Sequence, residues 1–258
     1  MKPLPKLMVA PNGARKTKAD HPALPITLDE VVADAIACRD AGADGLHLHL
    51  RNTEGGHVLD AGLYREALVE LRQVVPDMML QITTEAVGLY TAEQQRKVVE
   101  DVNPEAVSIS LVEMLKDTEI STAAALYNRC TEAGIAVQHI LYAERDMQLM
   151  LDMFTSGAVD PNAVQLLFVL GRYSKDQQSA PSDLTPFIQW MQTHCPSAEW
   201  AACAFGRHET KCLVAADREG GSVRVGFENS FFNDNGEIAS SNAERVLELS
   251  QLMDRKKE

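Results

Sequence analysis

Apolar and polar positions alternate in blocks along this chain. A short apolar run is followed by a break, then by a longer segment with apolar residues at helical spacing. Leu7-Met8-Val9-Ala10 is the first run, and Pro11-Asn12-Gly13 breaks it. Thr27 then offers a helix N-cap, and Glu30 completes a capping box ahead of residues 31–41, which Gly42 closes. Residues 46–50 read as the second strand, and Leu63, Ala67, Leu68, Leu71 and Val74 give residues 63–74 a helical stripe. Further strands are predicted over 78–82, 106–109, 135–141, 164–170, 200–204 and 222–227. Helices are predicted over 92–102, 118–133, 145–154, 184–193, 209–218 and 239–253, with Gly134 and Gly157 ending two of them. Eight strand–helix units, spaced by about thirty residues without a Gly/Ser-rich linker, predict one TIM (β/α)8 barrel over residues 1–258. A doubly wound open sheet is the competing architecture, but the Gly-rich phosphate turn after its first strand is absent. In a barrel, functional groups belong at the C-terminal strand ends and in the loops that follow.

Composition narrows the partners. Lys plus Arg total 24 against 37 Asp plus Glu, a net charge of −13. Nucleic acid and anionic membranes need a basic footprint, so neither is expected as a main partner. A local basic pocket for an anionic substrate stays compatible with that balance. No run approaches the ~18 apolar residues of a membrane span. Met1-Lys2-Pro3-Leu4-Pro5 lacks the apolar stretch of a signal peptide. Cys38, Cys130, Cys195, Cys203 and Cys212 are widely spaced and form no C-x-x-C pair, as in a reduced, cytoplasmic protein. The expectation is a soluble cytoplasmic α/β enzyme.

The most informative stretch is His47-Leu48-His49-Leu50-Arg51 at the end of the second strand. Alternate strand residues face one side, so His47 and His49 project toward the barrel axis while Leu48 and Leu50 enter the layer beneath the helices. Two neutral imidazoles in register can converge on one divalent ion; the alternative is polar filling of the barrel mouth. A catalytic zinc takes three protein ligands and keeps a position open, so a third ligand is expected from another strand end. Arg224-Val225-Gly226-Phe227-Glu228-Asn229 supplies a cation and a carboxylate there. Arg224, Gly226 and Glu228 share strand parity, and Gly226 leaves space for a ligand to approach the backbone. A surface salt bridge for Arg224 and a loop carboxylate for Glu228 are the plainer alternatives.

These stretches occur in one order with Ala10-Pro11-Asn12-Gly13-Ala14, His21-Pro22-Ala23-Leu24-Pro25, Ala41-Gly42-Ala43 and Gly236-Glu237-Ile238-Ala239-Ser240-Ser241-Asn242-Ala243. In this the chain resembles the β-keto acid cleavage enzyme family, whose founding activity is 3-keto-5-aminohexanoate cleavage. The resemblance implies a zinc-dependent TIM barrel that condenses a β-keto acid with acetyl-CoA as co-substrate, then cleaves the adduct to acetoacetate and a new acyl-CoA. It implies His47, His49 and Glu228 as metal ligands, for Zn2+ or equally Co2+ or Mn2+. It also implies Arg224 on the substrate carboxylate or developing charge, and a homo-oligomer, a tetramer. Thr83 falls where the family has a substrate-touching serine, and Ser108, or Ser110 by parity, is a second hydroxyl of that kind; capping and loop hydrogen bonds are the alternative for each.

Two positions depart from the founding activity. Arg15 stands where it has a glutamate, and Asn229 stands where it has an acidic residue after the metal-binding glutamate. An amide is a poor proton acceptor, so the acid–base role does not pass to Asn229. With Arg15, a substrate amino group loses its carboxylate partner, and a neutral or more anionic β-keto acid is expected. Glu85, in Thr83-Thr84-Glu85-Ala86, is the candidate replacement carboxylate, a general base or a charge partner for Arg15; an exposed loop glutamate is the plainer alternative.

Other residues carry less. Arg172, Lys175 and Arg207 lie after late strands, where TIM barrels gather phosphates; solvated loop charges are the default for them, and contact with the CoA phosphates is the alternative. His139 reads as core packing; His57, His194 and His208 lack ligand spacing, and residues 254–258 read as a frayed, solvated helix end. The competing functions are a CoA-independent metal-dependent hydrolase or aldolase and a non-catalytic metal or acyl-CoA binder.

Overall fold

The computed structural model describes residues 2–254. Eight parallel strands build the barrel: β1 (Leu7–Val9), β2 (Gly45–Leu48), β5 (Met79–Thr83), β6 (Ala106–Ser110), β7 (Ala136–Leu141), β8 (Gln165–Leu170), β9 (Glu199–Ala204) and β10 (Ser222–Val225). They close in that order, with β10 pairing back onto β1 through Leu7–Val223 and Val9–Val225. Two short strands, β3 (Leu50–Arg51) and β4 (His57–Val58), form an antiparallel hairpin over the mouth after β2. The helices are α1 (Leu28–Asp40), α2 (Ala61–Val74), α3 (Ala92–Val102), α4 (Leu111–Met114), α5 (Ile120–Ala133), α6 (Glu144–Thr155), α7 (Thr185–His194), α8 (Glu209–Arg218) and α9 (Asn242–Asp254). Among the described residues, no helix is long and apolar enough to cross a membrane.

Local chemistry explains the element starts. The expected capping box forms at α1: Thr27 Oγ1 accepts from Glu30 N and Glu30 Oε2 accepts from Thr27 N. Thr91 and Gln94 repeat it at α3, where the sequence reading marked none. An N-cap of this kind contributes ~1 kcal/mol. Outward-facing residues such as Leu46, Leu80, Val107, Ile109, Leu141, Leu166 and Phe168 bury themselves against the helix ring and form the main core.

Four boundaries differ from the pattern-based expectation. His49 lies just outside β2, because the chain leaves the barrel ladder there to build the β3–β4 hairpin. The eighth barrel strand ends at Val225, not at residue 227: Gly226 takes φ +142°, and a Cβ there would stand 2.4 Å from the Ala10 carbonyl oxygen. Glu228 therefore reaches the mouth through a turn and not through strand parity. The segment after β6 splits into one-turn α4, with Leu111 and Met114 buried, and α5 starting at Ile120. The last helix starts at Asn242, three residues later than expected, because Ser241 caps it: Ser241 Oγ accepts from Glu244 N at 3.2 Å. It runs to Asp254, and the rest of the frayed end expected there, residues 255–258, lies outside the described residues.

Candidate active site

His47, on β2, and His49, just beyond it, aim their imidazoles at one point over the barrel mouth. Their Nε2 atoms are 3.1 Å apart, and Glu228 Oε2 lies 3.6 Å from each. A point equidistant from the corners of that triangle lies about 2.0 Å from all three, the Zn–N and Zn–O bond length of ~2.0–2.2 Å. Among the described residues, nothing donates a hydrogen bond to the buried Glu228 Oε2, which leaves its lone pairs for a metal. Burial, reinforced by the nearby Arg224 charge, lowers the His47 pKa to about 4, and burial also holds His49 well below the ordinary histidine value. Both rings are therefore neutral and keep a lone pair for a cation. Burial alone would raise the Glu228 pKa, but the Arg224 charge, with Lys16 and Arg172, outweighs it and keeps the carboxyl ionised. Two neutral imidazoles and a carboxylate make a set that fits a divalent metal with an open position.

The backbone prepares this convergence. Asn12 Nδ2 donates to the carbonyls of Pro25 and His49, which ties the first loop to His49. Gly13, at φ +60°, lies so close beneath Glu228 that a Cβ would stand 2.6 Å from its Cγ. Arg51 clamps the same loop by donating to the carbonyls of Gly13 and Lys16, and it holds its own hairpin turn through the Gly55 carbonyl.

Around the triangle lies a cavity of ≈ 140 Å³ whose lining includes Arg15, Lys16, Thr83, Glu85, Arg172 and Arg224. Ile140, Tyr142, Val169 and Phe205 form its apolar wall. Arg224 Nη2 donates to Glu228 Oε1 at 3.1 Å and to Cys203 Sγ at 3.4 Å, while its Nε and Nη1 have no partner. Among the described residues, those buried N–H groups have no acceptor. Glu85 pairs with Arg172, Oε1 to Nη2 at 3.5 Å, and its Oε2 lies 4.0 Å from His49 Nδ1. Burial and the Glu228 charge raise its pKa to about 7. The ion-pair partner of Glu85 is Arg172, which reaches over from the loop after β8, and the Arg15 charge acts on the same carboxylate more weakly.

The other expected residues divide. Thr83 lines the cavity, and its Oγ1 accepts from Glu85 N at 3.0 Å, so its O–H remains free to donate inward. Ser108 stands in register between Thr83 and Gln138, fully buried, with its Oγ unpartnered and outside the cavity lining. Asn229 is buried and likewise absent from the lining. His139 faces outward and packs edge-on against Tyr127, as core packing requires. His57 does approach the site: its ring lies 5.4 Å from that of His49, and its Nε2 contacts the Glu85 carbonyl at 2.7 Å. The hairpin that carries it has no signal beyond the Glu54-Gly55-Gly56 turn. Lys16 and Gln81 were also missed. Lys16 donates to the Phe227 carbonyl, and burial lowers its pKa to about 8. Gln81 meets His47 Nδ1 at 2.8 Å.

Residues 6–257 match the family model for the beta-keto acid cleavage enzyme. The 3-keto-5-aminohexanoate cleavage enzyme of Fusobacterium nucleatum is 27% identical over 253 residues, covering 93% of this chain and 88% of that relative. The 3-oxoadipate:acetyl-CoA acetyltransferase of Cupriavidus necator is 24% identical over 260 residues, covering 95% and 87%. Among solved structures, a ternary complex of ObcA with a C4-CoA adduct and oxalate superposes with a TM-score of 0.72 at 16% identity. The match covers 91% of this chain, which spans 65% of the length of the ObcA chain. That likeness shows the fold.

Proposed function

Because the chain belongs to the β-keto acid cleavage enzyme family, we propose that it is a zinc-dependent acetyl-CoA enzyme that converts a β-keto acid into acetoacetate and a new acyl-CoA. The observation that carries this reading is the His47–His49–Glu228 triangle beside an Arg224 with two unpartnered buried donors. A divalent ion held by the three ligands would act as a Lewis acid on the ketone of the substrate. Arg224 pairs with the substrate carboxylate through the donors that Glu228 leaves free. Glu85, on the cavity lip, takes the C2 proton as general base, with Arg172 holding its other oxygen in place. The C2 carbanion attacks the acetyl carbonyl of acetyl-CoA, and the C–S bond breaks to release CoA thiolate. The thiolate then adds to the original ketone carbon, the C2–C3 bond breaks, and C2 recovers its proton as acetoacetate leaves. The Thr83 hydroxyl is placed to donate to a substrate oxygen, and Ser108 supports the floor beneath it. Acetyl-CoA as co-substrate is supported by the Cupriavidus relative, which carries it in its name.

The rim also bears on the substrate. Glu228 and Glu85 are matched by Arg224 and Arg172, which leaves Arg15 and Lys16 as further cations lining the cavity. That surplus favours a β-keto acid with a distal carboxylate over one with a distal ammonium. A panel of keto acids of equal length, assayed with acetyl-CoA and zinc, tests this. Turnover of the carboxylate substrate is expected to exceed that of the ammonium substrate at least tenfold in kcat/KM, about 1.4 kcal/mol. Faster turnover of the aminated substrate would reverse the assignment.

A further inference from the structure

A chain of buried amides leads away from the first ligand into the barrel. His47 Nδ1 lies 2.8 Å from Gln81 Oε1, Gln81 Nε2 donates to Gln138 Oε1 at 3.0 Å, and Gln138 Nε2 donates to the Leu166 carbonyl at 3.3 Å. Gln81 is 1% exposed and Gln138 2%, so no bulk water competes for these groups. Ala106, in register beside Gln81, is small enough to let its amide reach across to β7. We infer that Gln81 and Gln138 are positioning residues that fix His47 as its Nδ1–H tautomer before any metal arrives, so that the Nε2 lone pair already faces the ligand triangle.

The direction of the chain is dictated from its far end. A backbone carbonyl can only accept, so Gln138 must turn its NH2 toward Leu166 and its Oε1 toward Gln81. Gln81 must then present its NH2 to Gln138 and its Oε1 to His47. An acceptor facing Nδ1 requires a proton there, which leaves Nε2 bare. Reversing one amide would set donor against donor or oxygen against oxygen in a dry site, at a cost of ~1–3 kcal/mol for each unmet group. The second histidine has no such partner: among the described residues, His49 Nδ1 forms no hydrogen bond. Without metal, His49 is therefore expected to carry its proton on Nε2 and donate it to His47 Nε2 across the 3.1 Å gap. With metal bound, that proton must move to Nδ1 or leave, whereas His47 changes nothing. The two ligands are unequal: one is set in advance and one adapts.

This inference rests on the metal reading of the site, and the test separates the two. Selective 15N-histidine labelling of the full chain, which has seven histidines, reports each ring's tautomer by long-range 1H–15N correlation. The spectra are taken after chelation and again after adding zinc. The expected result is His47 as Nδ1–H in both states and His49 changing from Nε2–H to Nδ1–H. An Nε2–H tautomer for His47 in the metal-free wild type overturns the relay whatever the chain catalyses. In Gln138→Leu, which touches neither His47 nor the cavity, His47 is expected to populate both tautomers and zinc affinity to fall about 10–100-fold against a competing chelator. Unchanged affinity with an unchanged His47 tautomer in a folded Gln138→Leu protein also overturns it. Failure of the wild type to bind zinc strikes the metal reading instead, and the metal-free tautomer still decides the relay.

Discussion

His49→Ala is expected to lower zinc content from one ion per chain to near zero and to cut kcat/KM by at least about a thousandfold. The reason is geometric. His47 Nε2, His49 Nε2 and Glu228 Oε2 are nearly equidistant from one point, and removing one corner leaves two ligands for an ion that needs three. A thousandfold is about 4 kcal/mol, the size of effect expected when Lewis-acid stabilisation of developing negative charge is lost. The fold should survive, because His49 lies outside the barrel ladder and its backbone carbonyl still accepts from Asn12. Metal analysis, steady-state kinetics and thermal melting of the same preparation check all three statements. Retained zinc with retained turnover would remove His49 from the site.

Glu85→Gln is the second large effect. The amide keeps the size and the lip position of the side chain but cannot take a proton, so kcat is expected to fall about 10²–10⁴-fold, the usual share of a positioned general base. Zinc content should stay near wild type, since Glu85 is not a corner of the ligand triangle. KM should move far less than kcat, because Arg224 and the metal ligands still hold the substrate. A kcat within a factor of two of wild type would take Glu85 out of the chemistry and leave it as the partner of Arg172.

The barrel was legible because its signals are local. Apolar periodicity, the Thr27–Glu30 box and the closing glycines each act within one turn or one strand, and the eight strand–helix units follow in the expected order with the boundary shifts described above. The paired histidines were legible for the same reason, two positions apart at a strand end. Glu228 was found by an argument that the structure replaces: the strand stops at Val225, and the turn at Gly226, not parity, brings the carboxylate over. What stayed hidden depends on closure of the barrel. Arg172 meets Glu85 across the mouth, 87 positions away in sequence, and no spacing rule joins them. Gln81 and Gln138 look like ordinary polar residues in apolar strands until the strands align them behind His47. Lys16, beside the departure at Arg15, becomes part of the cavity only when the first loop folds over Phe227.

The most direct test follows the acetyl group. Acetyl-CoA labelled with 13C at both acetyl carbons is incubated with zinc-loaded protein and a β-keto acid bearing a distal carboxylate, and the products are weighed by mass spectrometry. The account predicts that both labelled carbons appear in acetoacetate, that the new acyl-CoA carries none, and that neither product forms with His47→Ala. Consumption of the keto acid with acetyl-CoA left intact, or label in the new thioester's acyl group, would contradict it.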